Sequence, residues 1–332
     1  MLLPIAAIFL AVAVLAGALA TGIGAWASRT GRAAHSSAVW AALMVGPLLV
    51  ALMSTLALVA PEPGAGCHCL RHDHHLHICL LHPALASPLV YPALAVLGLW
   101  LLAALPRMTR QLIAATRGMR TVHRIRRVPP RRIGDTQLRI LPCGSPSAFT
   151  AGAVAPVIVV DQDLWQRLST VERAAIVHHE SCHVSRADTL TLLVLRCCLA
   201  LQPWLPSSLL ERWRHATEIA CDRHAGNRVG DPSVVAEALV RVSRLRGEAA
   251  GCEPLPKEAA LGAFGAGGLE ARVHALLAPE AGSHGASRAT VLHANDVLRL
   301  LLPALGVGLL VCFWPGDLLH HAIETVIGLV SH

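Results

Sequence analysis

The stretch STVERAAIVHHESCHVS, residues 169–185, decides how the centre of this chain folds. Ser169 and Glu172 form a Ser-x-x-Glu capping box, which predicts a helix that opens there and runs through the mid-180s. His179 and His183 are four residues apart, so they share one face of that helix. The stretch therefore predicts a helix that presents two imidazole rings side by side.

The pattern His-Glu-x-x-His at residues 179–183 is typical of zinc hydrolases. Two imidazole nitrogens on one helix face can hold a zinc ion at about 2.0–2.1 Å. Glu180 can act as general base, taking a proton from the attacking water and delivering it to the leaving amine. We therefore predict that His179 and His183 are metal ligands and that Glu180 is the catalytic residue.

A second helix is predicted to supply the third metal ligand. It begins near Ser207–Ser208 and is expected to end at Gly226, a suitable C-terminal stop. Glu218 and Asp222 lie four residues apart on it, so they also share a face. We predict Glu218 as the third ligand and Asp222 as the acceptor for the far nitrogen of a ligand histidine. The alternative is a solvated acidic face, which the small apolar residues 219–221 disfavour.

The composition indicates a membrane protein. Of the 332 residues, 54% are hydrophobic and 15% are charged, and the mean hydropathy is +0.53. Soluble domains contain about 25% charged residues. Segments long enough to cross a hydrocarbon core of about 30 Å are predicted at 1–27, 38–60, 85–106 and 297–314. A signal peptide is the alternative for the first span, but no Lys or Arg precedes Arg29.

Charge sets the predicted orientation. Nine arginines and no acidic residue lie between Arg107 and Arg132, directly after the third span, which predicts that this end is cytosolic. Four crossings then place both termini outside and leave about 107–295 in the cytosol. No DNA-binding motif accompanies the arginines, so direct nucleic-acid binding is not expected.

The predicted fold is an α-rich integral membrane protein with four transmembrane helices and a cytosolic α+β domain. Residues 1–106 are expected to hold three spans and a polar outer loop, 107–295 the zinc domain, and 296–332 the fourth span and a short outer tail. Further predictions are listed by segment: strands at 138–141 and 157–160, a loosely ordered stretch at 246–268, and a last helix at 268–278. A single crossing by the apolar residues 189–205 would separate His183 from Glu218 across the bilayer. That segment must therefore be a core helix, or dip into the membrane and return.

These motifs resemble the antirepressor sensor-transducer metalloproteases of the BlaR/MecR type, over nearly the whole chain. The resemblance rests on the two ligand motifs and on four further stretches: Gln202-Pro203-Trp204, Ser147 to Gly152, Asp188, and Ala271-Arg272-Val273. It implies a gluzincin-type cytosolic domain with one catalytic Zn²⁺, in a multi-pass protein of the bacterial inner membrane. It also implies a cytosolic protein substrate, either a transcriptional repressor or the protease itself.

One departure concerns the sensor domain. Family members carry a penicillin-binding domain outside, with its acylated serine in Ser-x-x-Lys. Lys257 is the only lysine of this chain, and Pro254 stands at the serine position. We therefore expect that the sensor domain is lacking and that this chain alone does not sense β-lactams.

Residues outside the ligand set are candidates for substrate binding. The segment Ala148, Phe149 and Thr150 is predicted as an exposed edge strand to which a substrate strand adds. The alternative is a core strand with Phe149 packed inside. Arg272 is a candidate contact to substrate or transition-state charge, with a salt-bridged arginine as its alternative. Asp188 either supports the zinc helix or is exposed.

Two rival functions stay open. A membrane quality-control or prenyl-protein-type zinc protease would use the same ligands. A non-catalytic metal sensor would use the outer loop at 61–84, whose many His and Cys side chains can bind Zn or Cu. A solvated polar loop is the alternative for that segment, and the oligomeric state is not indicated by the sequence.

Overall fold

The structure, a computed structural model, describes residues 2–30, 36–59, 90–142, 146–248 and 268–278. The helices and strands, in chain order, are α1 Leu2–Thr30, α2 Ser37–Val59, α3 Val90–Arg126, β1 Arg131–Ile133, β2 Thr136–Leu141, β3 Ala148–Ala151, β4 Val157–Asp161, α4 Gln162–Arg167, α5 Thr170–Ser185, α6 Asp188–Leu201, α7 Ser208–Val229, α8 Pro232–Glu248 and α9 Leu269–Leu277. The protein is thus helix-rich, with an α+β domain after three N-terminal helices, as the sequence predicts.

Two of the described helices are long and apolar enough to cross a membrane. These candidate spans are Ile8–Arg29 within α1 and Ser37–Leu56 within α2. The third predicted span corresponds to the start of α3, although its first residues lie outside the described part of the chain. The fourth predicted span, the outer loop at 61–84 and most of the stretch 246–268 also lie outside it.

Helix α3 spans the predicted domain boundary at residue 106. The helix runs without interruption from Val90 to Arg126, so it joins the apolar segment to the arginine-rich segment. Its last turns carry Val122 and Ile125, which are buried against the sheet. The expected boundary therefore falls inside one helix, because a continuous helix can pass from an apolar to a polar environment with the same backbone geometry.

The sheet has the order β1-β2-β4-β3, in which β2 and β4 are parallel and the other pairs are antiparallel. Strand β4 is buried along its whole length. Val157 and Val159 face α3, whereas Ile158 and Val160 face the cluster formed with α5 and α8. Successive side chains of a strand point to opposite faces, so a continuous apolar run indicates a sheet that is covered on both sides.

Helix α5 begins as the sequence predicts. The hydroxyl of Ser169 accepts a hydrogen bond from the backbone N–H of Glu172, and the Glu172 carboxylate accepts one from the backbone N–H of Ser169. Helix α7, however, does not end at Gly226. It continues to Val229 and stops at Gly230, whose φ of +83° is the left-handed conformation that favours glycine at a helix end. Gly226 instead lets α7 approach Pro232 closely.

The segment 189–205 contains most of α6, which forms a helical hairpin with α7 beside the candidate spans. Helix α6 has 14 residues, or about 21 Å, which is too short to cross a hydrocarbon core of about 30 Å. The Gln202 side-chain amide donates a 2.8 Å hydrogen bond to the carbonyl of Met44 in α2. Trp100 of α3 donates one to the carbonyl of Leu201, also at 2.8 Å. The chain then returns as α7, which packs against α5.

The turn between α6 and α7 packs against a glycine of α1. A Cβ added at Gly17 would overlap the indole ring of Trp204. Farther along α1, Gly24 lies against Leu209 of α7, where an added Cβ would be 3.0 Å from Cδ2. Residues Ala27, Met44 and Trp213 continue this contact as a buried cluster. The small α1 residues therefore let the hairpin pack closely against the candidate spans.

We predict that Gly17→Ala destabilises the protein by about 1–3 kcal/mol, because the new methyl group overpacks the contact with Trp204. Gly22→Ala is the matched control, since an added Cβ there meets no described atom within 4 Å. Thermal unfolding of the purified protein in detergent measures both. Equal unfolding temperatures for the two variants would show that the hairpin does not pack there.

Candidate metal and catalytic site

Helices α5 and α7 bring three predicted ligands together. Nε2 of His179 lies 3.2 Å from Nε2 of His183. Glu218 places Oε2 3.5 Å from the first of these nitrogens and Oε1 3.6 Å from the second. Both histidines are buried, and the side chain of Glu218 is 13% exposed. The three predicted ligands therefore converge on one point at the helix interface, although they come from separate helices.

The donor set fits a zinc ion. Two ligand atoms bound at 2.0–2.1 Å to one tetrahedral ion lie about 3.3 Å apart, close to the distance between the two imidazole nitrogens. The two histidines and the glutamate form a group with ligand atoms within 4.8 Å of one another. These residues thus could hold the metal, and the fourth position stays available.

Each ligand histidine has an acidic partner on its far nitrogen. Nδ1 of His179 lies 3.0 Å from Oδ1 of Asp222, and Nδ1 of His183 lies 2.8 Å from Oδ2 of Asp188. Burial acts to lower the pKa of His179, but the contacts with Asp222 and Glu218 outweigh it and raise the pKa to about 10. Carboxylates in this position fix the ring orientation and make the other nitrogen a stronger ligand. Asp222 therefore lies where its predicted role requires, and Asp188 supports the zinc helix rather than being exposed.

Arg272 of α9 neutralises the acidic side of the site. Its Nε and Nη2 atoms lie 2.7 and 2.6 Å from the two oxygens of Asp222, and Nη1 lies 3.0 Å from Oε2 of Glu218. Although burial opposes it, this positive charge holds the pKa values of Glu218 and Asp222 below their ordinary ranges. The guanidinium is 1% exposed. Arg272 is thus the salt-bridged arginine of the alternative prediction, because its guanidinium is buried and contacts both carboxylates.

Glu180 is held by a strand residue. The hydroxyl of Thr150 donates a 2.7 Å hydrogen bond to Oε2 of Glu180. The other oxygen, Oε1, is buried and receives no hydrogen bond from any described residue. Burial raises the pKa of Glu180, although the charges of His183 and His179 oppose the shift. One oxygen of the predicted catalytic carboxylate is therefore fixed in place, while the other has no partner.

Strand β3 lies at the edge of the sheet, beside the zinc helix, but it is not exposed. All four of its residues are buried, and Phe149 packs among residues of α3 and β4. Strand β3 thus has the predicted position at the edge of the sheet. Its Phe149, however, is packed inside, as the alternative of a core strand states. A substrate-binding role for Ala148, Phe149 and Thr150 stays a prediction.

Two arginines near the site were missed by the sequence reasoning. Arg186 contacts Asp188 behind His183. Arg246 of α8 donates a 2.8 Å hydrogen bond to the carbonyl of Pro146 just before β3. Burial, reinforced by the charge of Arg272, lowers the pKa of Arg246 to about 10, although the charges of Glu180 and Glu218 oppose the shift. The spacing Arg-x-Asp three residues after the second histidine was the available signal for Arg186. No sequence signal marked Arg246, because its helix is distant in the chain.

A second group of metal-binding side chains shares a zinc ligand. His183, Asp188 and Cys221 have ligand atoms within 4.8 Å of one another. The Arg186 guanidinium, however, lies 3.2 Å from Asp188 and already supplies a positive charge there. This group is therefore the supporting side of His183 rather than a separate metal centre.

Comparison with known proteins agrees with this site. Residues 144–231 match the family model of the BlaR1 peptidase M56. We call these residues, which are similar to that family, the M56 segment. The M56 segment runs from just before β3 to the end of α7, so it contains the three predicted ligands and Glu180. No curated protein and no solved structure matches the chain.

The M56 match confirms the resemblance to the BlaR/MecR type. The family indicates a metallopeptidase, and the two apolar helices together with the family indicate a membrane protein. Arg272 lies outside the M56 segment, yet it pairs with two carboxylates inside it. The family match therefore covers the two carboxylates of the site, but the arginine that compensates their charge lies on α9, beyond the matched residues.

We predict that Arg272→Leu lowers the free energy of unfolding by about 3–5 kcal/mol, because it leaves two carboxylates buried without their partner. Arg223→Leu on the exposed side of α7 is the control and should change stability by less than about 0.5 kcal/mol. Denaturant unfolding of the zinc-free protein measures both. Unchanged stability combined with a raised KM would indicate the substrate contact instead.

Proposed function

We propose that this protein is a membrane-bound zinc metalloendopeptidase that hydrolyses peptide bonds in a cytosolic protein. The observation that carries the proposal is the convergence of His179, His183 and Glu218, with Glu180 beside them. Three protein ligands with an open fourth position are typical of catalytic rather than structural zinc. A zinc ion held there would lower the pKa of a water molecule and polarise the scissile carbonyl group.

Glu180 would carry the proton transfers. Its Oε1 atom, which has no partner among the described residues, would accept the proton of the attacking water and then donate it to the leaving amine. The raised pKa of Glu180 suits this role, since the carboxyl group must hold the proton between the two steps. Thr150 would keep the carboxylate in position during both transfers.

We infer that the peptidase lies on the cytosolic side of a bacterial inner membrane in a multi-pass chain. The arginine-rich second half of α3 supports this orientation through the positive-inside rule. The contacts of the α6–α7 turn with the middle of α1 and α2 support a hairpin that dips into the bilayer and returns. The four-span topology and the domain limits 1–106, 107–295 and 296–332 belong to the same proposal.

The proposed substrate is a transcriptional repressor, with the protease itself as a second substrate. The family relation supports this choice. Strand β3, at the sheet edge beside Glu180, supports binding by strand addition. Because β3 is buried, a substrate strand would first have to displace the segments that cover it. The expected partners are thus a cytosolic protein and the lipid bilayer, without direct binding of nucleic acid.

The rival functions make different demands on Glu180. A quality-control or prenyl-protein-type zinc protease would need the same carboxylate and differ only in substrate. A non-catalytic metal sensor would not need it. Its proposed metal site, the outer loop at 61–84, lies outside the described residues.

The deciding experiment is Glu180→Gln in the purified full-length protein, with zinc content and self-cleavage measured together. We expect zinc to stay bound while cleavage falls by about 10²–10⁴-fold, because the proton acceptor is lost and the ligands remain. Glu237→Gln, at an exposed position of α8, is the control and should cleave normally. Unchanged cleavage by Glu180→Gln would refute the protease proposal.

A second experiment separates positioning from substrate binding at Thr150. Thr150→Val keeps the shape of the side chain but removes the hydrogen bond to Glu180, so we expect kcat to fall by about 10- to 100-fold at unchanged KM and zinc content. Thr150→Ser should restore kcat. Steady-state kinetics on a peptide substrate would show a raised KM instead if the residue mainly binds substrate.

A further inference from the structure

A continuous path of polar contacts joins the start of a candidate membrane span to a proposed zinc ligand. The Nη2 atom of Arg186 donates a 2.9 Å hydrogen bond to Oγ of Ser37, the first residue of α2. Nε of the same guanidinium lies 3.2 Å from both oxygens of Asp188. Asp188 in turn lies 2.8 Å from Nδ1 of His183. Three contacts thus lead from the membrane helix to the imidazole ring.

Every member of this path is excluded from solvent. Ser37 and Arg186 are each 5% exposed, and Asp188 and His183 are 2% and 1% exposed. Burial acts to lower the pKa of Arg186, but the charge of Asp188 outweighs it and raises the pKa. A buried cation requires such compensation. The contacts therefore belong to the packed interior rather than to a surface where water could replace them.

The side-chain chemistry of Arg186 suits a connecting role. Its planar guanidinium presents Nε to Asp188 and Nη2 to Ser37 at the same time, which the single ammonium group of a lysine cannot match in geometry. The residue after it, Ala187, is the one non-glycine residue with positive φ in the described part of the chain, at +52°. This sharp turn between α5 and α6 brings Arg186 and Asp188 onto the same side of the backbone.

Helix α2 also contacts the hairpin that follows this turn. Met44 accepts the hydrogen bond from Gln202, and Trp40 packs in the same buried cluster as Leu195 of α6. A shift of α2 would therefore act on the C-terminal end of α6 through Gln202. It would also act on Arg186, which lies just before the start of α6. The position of α2 and the position of the metal-ligand support cannot change independently.

We propose that Arg186 is a positioning residue through which helix α2 sets the orientation of His183. Ser37 fixes one end of the guanidinium, the guanidinium fixes Asp188, and Asp188 fixes the ring whose Nε2 faces the metal position. The inference rests on the proposed function, since it takes His183 to be a zinc ligand. A movement of α2 would then change the position of the ring at the metal site.

The test uses the full-length protein in lipid nanodiscs, with zinc affinity measured by chelator competition and the ligand field measured by the absorption spectrum of the cobalt-substituted protein. Ser37→Ala and Arg186→Lys should each weaken zinc binding by about 10-fold or more and shift the cobalt spectrum, because outer-shell support is lost. Ser37→Thr keeps the hydroxyl group and should restore both. The variant that combines Ser37→Ala with Arg186→Lys should bind zinc no more weakly than Arg186→Lys alone, since both substitutions act on one path.

Ser28→Ala is the matched control, because its hydroxyl group bonds only carbonyl groups of its own helix α1 in the described structure. It should leave zinc affinity and the cobalt spectrum unchanged. Thermal unfolding of the zinc-free variants accounts for any loss of folded protein. An effect of Ser28→Ala equal to that of Ser37→Ala would overturn the inference, as would additive losses in the double variant.

The outcomes separate this inference from the proposed function. Wild-type protein that binds zinc and cleaves, together with Ser37→Ala and Arg186→Lys variants that match it in affinity and spectrum, overturns the inference alone. Wild-type protein that binds no zinc overturns both. Loss of affinity with an altered cobalt spectrum in the two variants, rescued by Ser37→Thr, supports the path from α2 to His183.

Discussion

The pairing of Arg272 with Glu218 and Asp222 is the interaction on which the rest of the site depends. Two carboxylates on one face of α7 are turned into an interior that contains little water, where unpaired charges cost several kcal/mol each. The guanidinium compensates both of them at 2.6–3.0 Å. With that charge balanced, Glu218 can face the two imidazoles of α5 and Asp222 can hold the ring of His179. Helices α5, α7 and α9 are therefore joined by electrostatics as well as by apolar packing.

This constraint explains how the sheet and the helices divide their tasks. The sheet packs one face on α3 and the other on α5 and α8, so β3 is held where Thr150 meets Glu180. In the proposed site the helix pair would supply the ligands, and the strand would orient the carboxylate of Glu180. A small displacement of either layer would separate the base from the metal position. The buried β3 edge indicates that binding of a strand-like substrate requires a change in the segments around it.

The same geometry relates the site to the candidate membrane spans. Helix α7 carries Glu218 at its middle, and its first turns pack against α1 and α2. Arg186 connects the other ligand helix to the start of α2. The ligand histidines and glutamate therefore lie close to where the chain would leave the bilayer. The proposed site is thus joined by direct contacts to both candidate spans.

The sequence by itself determined the parts of the site that local geometry controls. The four-residue spacings of His179 with His183 and of Glu218 with Asp222 place each pair on one helix face, and the capping box at Ser169 marks where α5 begins. Only the tertiary structure decided the partners of Thr150 and Arg272, because those contacts join segments distant in the chain. The end of α7 at Gly230 rather than Gly226 has a local cause instead, since Gly230 adopts the left-handed conformation and Pro232 begins α8 two residues later. Side-chain spacing follows from the helix repeat, whereas burial and charge pairing depend on which surfaces meet after folding.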